Sequence, residues 1–580
     1  MRVDVVRENL WGGQANLLPE SSFVDFSLYK LQGGKLLWKS TDFDEDLVDS
    51  VNYCMQVHPD EKIQLDQSQS LTVKGERYGG AGLGSNGGGV RCGNVGNLQI
   101  KGCGRNSLAG GTTDFFHNYG GASLKECLLE AIWGEVLSHA LPFKGVRSAA
   151  VIGTGSTVPR KFPSRFETIN EPRALVIRQT VIRPAHFMRA VFFRGKFGAI
   201  NNPFDAHRTF EALSVLGDGF QQIYGKSEPA NTVCFTPTTG FKVFAKRLAQ
   251  QTATARARRI MHSSLTPSNV AIDGRWLDFS SISCVSDYGK ILLARGAPDF
   301  MAEDLSCKEI IREFSWYINK NVRDANVDVK EVIGLFNDEF KSSEINEFCA
   351  LSGLPLARLN FVSTVCKKSF HDAFRAITRH GNEQPFLILH QDNDVQPVMP
   401  EKTGDFFNVR LMRELCLSKD HLDSENRIVD LLPSDTLRRN MITAYWNLIS
   451  EAATLGCGAN SNGDSLMRRI NGIRLNQDHQ CLYRTVLYPR LDDAISRNQD
   501  LQSLVDSLSR YAQFFMAATD PTGLSIDYLQ ECNALHGANK TLTRISSANV
   551  RSRLKSLVFD NVESQGTLFK GLVELCTTVT

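Results

Sequence analysis

The chain has 580 residues, with 65 basic and 63 acidic side chains and a formal net charge of +2 at pH 7. A hydrophobic fraction of 42% beside 22% charged residues is enough to bury a large core, which excludes a disordered chain, a collagen-like repeat and a coiled coil. The balanced charge also excludes a global field that would attract nucleic acid or an anionic membrane, so any anion binding must be local.

The amino terminus and the cysteines indicate the compartment. Charged residues interrupt the opening MRVDVVRENLWGG, and no apolar run reaches the roughly 18 residues of a membrane span. The 14 cysteines contain no CxxC pair, which argues against a zinc knuckle or a dense disulfide framework. We therefore expect a cytoplasmic protein without a membrane span, in which the cysteines are free and buried.

Residues 1–77 alternate between apolar and polar positions in short stretches, a pattern typical of strands and turns. Glycine dominates the next region, since 16 of the 45 glycines lie within residues 75–121, where even spreading would give roughly four. Each glycine costs a helix about 1 kcal/mol relative to alanine, so this density excludes regular helix. We predict loops around one strand at residues 97–101.

Residues 123–141 carry apolar side chains at spacings of three and four and are followed by Pro142, which predicts an amphipathic helix. Strand-like runs follow at residues 148–152 and 174–181, and beyond about residue 206 the pattern becomes helical. The remaining predictions are a strand at residues 275–279 and amphipathic helices at residues 309–319, 329–340 and 437–455.

The glycine-rich segment opens with residues 78–94, YGGAGLGSNGGGVRCGN, and leads into the predicted strand that ends at Lys101. Glycines let backbone N–H groups approach an oxyanion, and a lysine on the adjacent strand can contact a phosphate. The segment lacks the ending of a Walker A loop, and no helix opens directly after it as in a dinucleotide fingerprint. A phosphate cradle and a flexible structural loop are equally good interpretations of the glycines alone.

Lys101 and Glu130 together favour the phosphate cradle. A strand lysine that contacts phosphates is commonly held by a helix carboxylate, which is the arrangement of protein kinases. Taken alone, Glu130 is more simply interpreted as a solvated charge near the edge of the apolar helix face.

Asn269 and Asp278 are candidate metal ligands. Asn269 ends the segment HSSLTPSN, and Asp278 follows it in the predicted strand. Amide and carboxylate oxygens suit Mg²⁺, and in kinases a loop asparagine and a strand-end aspartate hold the metal that bridges the nucleotide phosphates. The basic run Arg256, Arg258 and Arg259 just upstream is more simply interpreted as an exposed helix face than as a binding patch.

These motifs occur in one order over residues 78–279 and resemble the selenoprotein O (SelO) family. Its members are atypical protein kinase folds that transfer AMP, rather than phosphate, to protein side chains. Similarity after about residue 300 is diffuse. The matching features are the glycine-rich opening, Lys101 with the Gly-Cys-Gly after it, the helix with Glu130, Arg178, Arg183, and residues 262–278.

The resemblance implies an α+β, protein-kinase-like bilobal fold with a helical C-terminal extension. The implied units are a lead-in subdomain at residues 1–77, a glycine-rich nucleotide-binding N-lobe at 78–200, the start of the C-lobe with the metal-binding segment at 201–305, and a mainly helical C-lobe and extension at 306–580.

The resemblance also implies ATP and Mg²⁺ as cofactors, with ATP bound in a flipped orientation that presents its α-phosphate. Lys101 and Glu130 would form the nucleotide-aligning pair, and Asn269 and Asp278 would be the metal ligands. The loop histidine, His262, would pack structurally. The implied nucleotide-binding residues are Gly93, Asn94, Lys101, Gly120, Arg178, Arg183 and Asp278.

The chain departs from the family pattern at three places. Ser268 stands where the family has its proposed catalytic base, an aspartate. Residues 91–94 read RCGN where the family reads Gly-Asp-Gly-Arg, so one phosphate-facing arginine is lost and another could substitute from a different position. Residues 119–121 replace a second Asp-Gly-Arg. Since these positions contact nucleotide in the family, the binding mode is expected to differ.

The change at Ser268 leaves three interpretations. A hydroxyl acceptor must lose its proton, and a positioned base typically contributes about 10²–10⁴-fold, which serine cannot supply. The protein could bind ATP without catalysis, transfer AMP to a protein hydroxyl with a base from elsewhere, or use an acceptor that is already an anion. A carboxylate acceptor would give an acyl-adenylate and pyrophosphate.

Such activation would suit the C-terminus of a ribosomal peptide before ester or amide formation. The expected partners are a protein or peptide substrate and an acyltransferase-type subunit, as in the maturation of siderophore-bearing microcins.

Overall fold

The computed structural model describes residues 13–111, 119–161, 168–195, 202–225, 234–289, 291–292, 298–323, 325–381, 387–388, 407–454 and 462–517. Within these residues the protein is mixed α/β, with strands concentrated in the first third and helices in the remainder. No helix in the described ranges is both long and apolar enough to cross a membrane.

The strands of the first third form one antiparallel sheet of eight, in the spatial order β2-β7-β8-β6-β5-β4-β1-β3. It contains strands from both sides of residue 77, so the boundaries inferred from the sequence stay predictions. The elements up to β8 are β1 Phe23–Leu31, β2 Lys35–Lys39, α1 Val48–Val51, β3 Tyr53–Cys54, β4 Leu65–Glu76, β5 Cys92–Val95, β6 Leu98–Lys101, α2 Leu124–Ala140, β7 Ser148–Lys161 and β8 Thr168–Gln179.

Both faces of the sheet are covered. Because successive side chains of a strand point to opposite faces, the paired residues Val151 and Val176 pack in the core beneath α2. The next pair, Ile152 and Leu175, packs in a second core on the other face. The sheet therefore fixes which residues of its central strands face α2.

Helix α2 begins where the sequence predicts a helix. The Ser123 hydroxyl accepts a hydrogen bond from the Glu126 N–H at 3.2 Å, which satisfies one of the free amides of the first turn. The helix ends at Ala140, just before Leu141 and Pro142. Its apolar residues pack against β7 and β8, so the helix lies directly on the sheet.

The rest of the described chain is mainly helical, with two short two-stranded sheets. Three predicted helices, at residues 309–319, 329–340 and 437–455, are confirmed over the described residues, and the first two are longer than expected. The elements are α3 Asn202–Ser214, α4 Leu216–Tyr224, α5 Pro237–Ala257, β9 Ile260–Met261, β10 Ser283–Cys284, β11 Ile291–Leu292, α6 Glu303–Asn321, α7 Val329–Ala350, α8 Leu356–Leu359, α9 Thr364–Gly381, β12 Leu387–Ile388, α10 Phe407–Leu417, α11 His421–Ile428, α12 Asp435–Thr454, α13 Asn462–Leu475, α14 Arg484–Ser496 and α15 Leu501–Phe515.

The predicted strand at residues 275–279 is wrong. Asp278 has φ 64° and ψ 77°, which is left-handed backbone, and a 3₁₀ turn follows at Phe279–Ser281. Left-handed backbone cannot continue a strand. The apolar alternation at residues 275–279 instead reflects burial of Trp276, Leu277 and Phe279.

The expected exposed helix face at Arg256, Arg258 and Arg259 is also wrong, because all three side chains are buried. Arg256 donates to Glu344 at 2.9 Å and Arg258 donates to Glu347 at 3.1 Å. Arg256 and Arg258 thus join the end of α5 to α7 through ion pairs that compensate their buried charges, and Arg259 donates to the backbone oxygens of Ser286 and Gln477. The described cysteines are free thiols, and most are buried, as expected.

Candidate functional site

Lys101 is the last residue of β6, where its neighbours are Cys92 on β5 and Val176 on β8. Its side chain is only 4% exposed. The ammonium nitrogen lies 2.8 Å from Glu130 Oε1 and 3.1 Å from Asp278 Oδ1. The structure therefore brings together the lysine, the helix carboxylate and the aspartate that the sequence singled out.

Glu130 is buried in the middle of α2 and is not the solvated charge that it would be on an isolated helix. Its Oε1 accepts from Lys101 and from the Phe279 N–H at 3.3 Å. Its Oε2 accepts from Arg178 at 3.0 Å. Both oxygens are thus used, which fixes the carboxylate between the sheet and the turn after Asp278.

Glu126 is a site residue that the sequence reasoning missed. It lies one helical turn before Glu130, and Arg91 donates to both of its oxygens, at 2.5 and 3.0 Å. Its Oε1 is also 3.5 Å from the Lys101 nitrogen. Burial opposes its charge, but Arg91 and Lys101 lower the pKa of Glu126 to about 2. The signal available in the sequence was the i, i+4 spacing to Glu130, which puts both carboxylates on one helix face.

The site balances cationic and anionic side chains. Burial disfavours every charge here, but the carboxylates raise the pKa of Lys101 above its ordinary value, and the cations hold the pKa of Asp278 well below its usual range. Lys101, Glu126 and Asp278 are therefore charged at neutral pH. The cations are Lys101, Arg91 and Arg178, and the anions are Glu126, Glu130 and Asp278.

Asp278 is the carboxylate at the open side of the cluster, since 39% of its side chain is exposed. Asn269 is held beside it through the backbone, where the Leu277 N–H donates to Asn269 O at 3.1 Å. The Asn269 side-chain nitrogen donates to Ser264 O at 2.8 Å, so the amide orientation leaves Oδ1 as its acceptor. The two predicted metal ligands thus lie on neighbouring stretches of backbone.

In the described part of the chain, the hydroxyl of Ser268 has hydrogen-bond contacts with a hydroxyl and an amide and with no carboxylate or imidazole. Its hydroxyl lies 3.0 Å from Thr266 Oγ1 and 3.4 Å from Asn269 Oδ1. Neither a hydroxyl nor an amide can accept a proton from an acceptor alcohol at neutral pH. The two groups that contact the Ser268 hydroxyl therefore supply no general base.

Arg183 joins the glycine-rich segment to the Ser268 loop. Its guanidinium lies 5.0 Å from the ring centroid of Tyr78 and donates to Ser268 O at 3.1 Å. A guanidinium over an aromatic face is attracted by the ring. Arg183 is thus shared between the start of the glycine-rich segment and the loop that leads to the predicted metal ligands.

A buried chain of amides connects Arg178 with Glu76 near Arg183. Arg178 donates to Gln99 Oε1 from Nε at 3.0 Å and from a terminal nitrogen at 2.8 Å. Gln99 donates to Asn94 Oδ1 at 3.1 Å, and Asn94 donates to Glu76 Oε1 at 2.9 Å. Every one of these side chains is buried. The nucleotide contacts predicted for Asn94, Arg178 and Arg183 stay predictions, and each residue also has protein partners.

His186 completes this chain in one tautomer. The Arg183 N–H donates to His186 Nδ1 at 2.9 Å, so the neutral ring carries its proton on Nε2. That nitrogen lies 3.4 Å from Glu76 Oε2. Burial lowers the pKa of His186, which favours this neutral form.

Gly93 and Gly120 are required by packing. A Cβ at Gly93 would lie 2.6 Å from Val73 Cγ2, and Gly120 has φ 97° with a Cβ position 2.5 Å from the Arg105 backbone nitrogen. Neither position tolerates a side chain. Their predicted nucleotide contacts are untested.

His262 is buried, and its Nε2 lies 3.1 Å from Leu277 O. Its ring meets Trp276 edge to face at 5.2 Å between centroids. Burial lowers its pKa to about 4, so the ring is neutral at pH 7. These contacts fit the structural role expected for this histidine.

The buried carboxylate of Glu76 makes the stability of the fold depend on pH, and this dependence can be tested. Burial opposes its charge, but His186, Arg183 and Asn94 lower the pKa of Glu76 from 4.5 to about 2. This carboxylate therefore stabilises the fold above about pH 4.5, and the contribution is lost as the pH falls toward about 2. We expect Glu76→Gln to lower the melting temperature at pH 7, and the difference from wild type to shrink as the pH falls below about 4.5.

Differential scanning calorimetry from pH 7 downward measures this difference. Glu309→Gln, at a side chain that is 73% exposed, is the control and should follow the wild type at every pH. A constant difference between Glu76→Gln and wild type over the same range would contradict the assignment.

The described site brings Lys101, Glu130 and Asp278 into contact and places Asn269 on the backbone stretch beside Asp278. Arg183 links the Ser268 loop to the glycine-rich segment. Neither the models of known protein families nor the curated proteins include a match to this chain.

Proposed function

We propose that the protein binds Mg²⁺-ATP in a kinase-like cleft and transfers AMP to a carboxylate of a protein or peptide. The observation that carries the proposal is the contact of Lys101 with Glu130 and Asp278. A strand lysine, a helix glutamate and an aspartate after a loop asparagine are the parts that position nucleotide phosphates and Mg²⁺ in kinases. The proposal includes a bilobal, SelO-like arrangement with the lobes divided near residue 200.

Asp278 and Asn269 suit Mg²⁺ chemically. The Asp278 carboxylate is partly exposed and charged at neutral pH, and Asn269 offers an amide oxygen. Mg²⁺ usually takes one or two protein oxygens and fills its remaining positions with water and phosphate oxygens. When bound, the metal would neutralise phosphate charge and ATP would supply the adenylyl group.

Lys101 supplies a fixed positive charge for the phosphates. Three carboxylates surround it, and both Glu126 and Glu130 are held by further donors on both of their oxygens. The ammonium is therefore oriented before a ligand arrives, which lowers the cost of ordering on binding.

The chemical class of the group that accepts AMP, a carboxylate, is inferred from the serine at position 268. A carboxylate needs no base, because it is already ionised at neutral pH. Its oxygen would form a bond to the α-phosphorus of ATP while the bond from that phosphorus to the bridging oxygen of the β-phosphate breaks. The products are an acyl-adenylate and pyrophosphate. An acyltransferase-type partner would then use the acyl-adenylate for ester or amide formation, for example at the C-terminus of a ribosomal peptide.

ATP labelled at the α or the γ phosphate tests the reaction class. We expect the α label to appear on an acidic peptide or protein acceptor with release of pyrophosphate, and hydroxylamine to trap the acyl-adenylate. Transfer of the γ label would make the protein a kinase. Binding of ATP without transfer of either label would favour a catalytically silent ATP-binding subunit.

Ser268→Asp separates the two kinds of acceptor within the same assay. With a carboxylate acceptor the added charge repels the substrate, and the rate of α-label transfer should fall. With a hydroxyl acceptor the new base should raise it by about 10²-fold or more, which would overturn the proposal in favour of AMP transfer to protein hydroxyls. Thr266→Asp adds the same charge two residues away and controls for a general electrostatic effect.

A further inference from the structure

Helix α15 packs on the side of α2 that faces away from the site. Leu504, Val505 and Leu508 of α15 are buried in the same core as Leu128 and Ile132 of α2. The apolar positions of α15 recur at spacings of three and four, as expected for a helix with one buried face. The far end of the described chain therefore covers the helix that carries Glu126 and Glu130.

The two faces of α2 have different neighbours. Glu126 and Glu130 are one turn apart and both contact Lys101. Glu135 follows Glu126 by two and a half turns, at about 3.6 residues per turn, and so lies on the opposite face. On that face Ser509 of α15 lies 3.4 Å from Glu135 Oε2 and 3.3 Å from His139 Nε2.

Helix α15 also binds the edge of the sheet. The Lys39 N–H donates to Gln502 Oε1 at 2.8 Å, and Gln502 Nε2 donates to Lys39 O at 3.0 Å. Lys39 ends β2, which is an edge strand, so the amide of Gln502 pairs with the edge as a further strand would. Asp506 accepts from Gln502 at 2.9 Å and from the Trp38 indole N–H at 3.3 Å.

We propose that Gln502, Asp506 and Ser509 are positioning residues for the nucleotide site, acting through α2. By holding both the sheet edge and the rear of α2, they keep Glu130 within hydrogen-bond distance of Lys101. A displacement of about 1 Å at such a site can cost about 10²-fold in rate. The inference rests on the proposed ATP-binding function, and it makes α15 a structural support for the site.

Gln502→Leu tests the inference, because it removes the amide contacts with Lys39 and Asp506 at similar side-chain size. We expect the affinity for Mg²⁺-ATP, measured by calorimetric titration, to fall about tenfold. We also expect faster hydrogen exchange of the amides of Leu124–Ala140. Gln513→Leu, at an exposed position of the same helix, is the matched control and should change neither quantity.

Ser509→Ala is a milder second variant, since it removes only the hydroxyl that contacts Glu135 and His139, and it should shift both quantities in the same direction. Wild-type affinity in Gln502→Leu would overturn the inference, whether or not exchange in α2 changes. Faster hydrogen exchange that is confined to α15 and β2, with no change in α2, would also overturn the inference. If the wild-type protein binds no ATP, the proposed function fails and the inference fails with it, an outcome distinct from both others.

Discussion

Asp278→Asn should reduce Mg²⁺-dependent AMP transfer by about 10²–10³-fold, the usual cost of removing one charge-stabilising group from an active site. The amide keeps the size of the carboxylate and can still accept from Lys101, so the fold should persist. It lacks the negative charge that attracts the metal. The α-label assay at increasing Mg²⁺ concentration measures the loss, and part of it should be recovered at high Mg²⁺.

Asp338→Asn makes the same chemical change at an exposed position of α7 and should leave the rate unaltered. Full activity of Asp278→Asn at low Mg²⁺ would contradict the assignment of this residue to the metal. Equal losses in both variants would point to a general effect of charge.

Lys101→Met should abolish measurable ATP binding and destabilise the protein by about 3 kcal/mol. Removing one partner of a buried ion pair leaves the other charge uncompensated, which typically costs about 3–5 kcal/mol. The lower value is expected because Arg91 and Arg178 still pair with Glu126 and Glu130. Urea denaturation and calorimetric titration with Mg²⁺-ATP measure the two effects.

A second substitution separates stability from binding. Lys101→Met combined with Glu130→Gln removes both members of one ion pair, so the double variant should lose less stability than the sum of the single variants. It should still fail to bind ATP. Lys125→Met, which breaks the partly exposed pair with Asp492, is the control and should cost less than about 1 kcal/mol. Normal ATP binding in the double variant would remove Lys101 from the proposed site.

The helices were the most predictable part of the fold. The predicted helix at residues 123–141 is α2, and those beginning at 309, 329 and 437 lie in α6, α7 and α12, because burial against one neighbour imposes a helical period on the sequence. The pattern of apolar residues was misleading at residues 275–279, where it predicted a strand. There the apolar residues are buried by the surrounding chain, while the left-handed backbone of Asp278 ends any strand.

The chemistry of the site was partly predictable. Lys101, Glu130, Asn269 and Asp278 were singled out by residue type and order, and the structure brings the first two and Asp278 into contact. Glu126 was missed, because its importance depends on Arg91, which reaches it from the start of the adjacent strand.

By itself the sequence determined the mixed α/β character of the chain, the positions of the main helices, the glycine-rich segment and the residue types from which a phosphate and metal site is predicted. These follow from local periodicity and side-chain chemistry, which a linear chain expresses directly. Only the tertiary structure decided which charges are buried and paired, that Glu126 joins the site, and that α15 supports α2 from behind. Such contacts join residues far apart in the chain, and their energy depends on burial and distance.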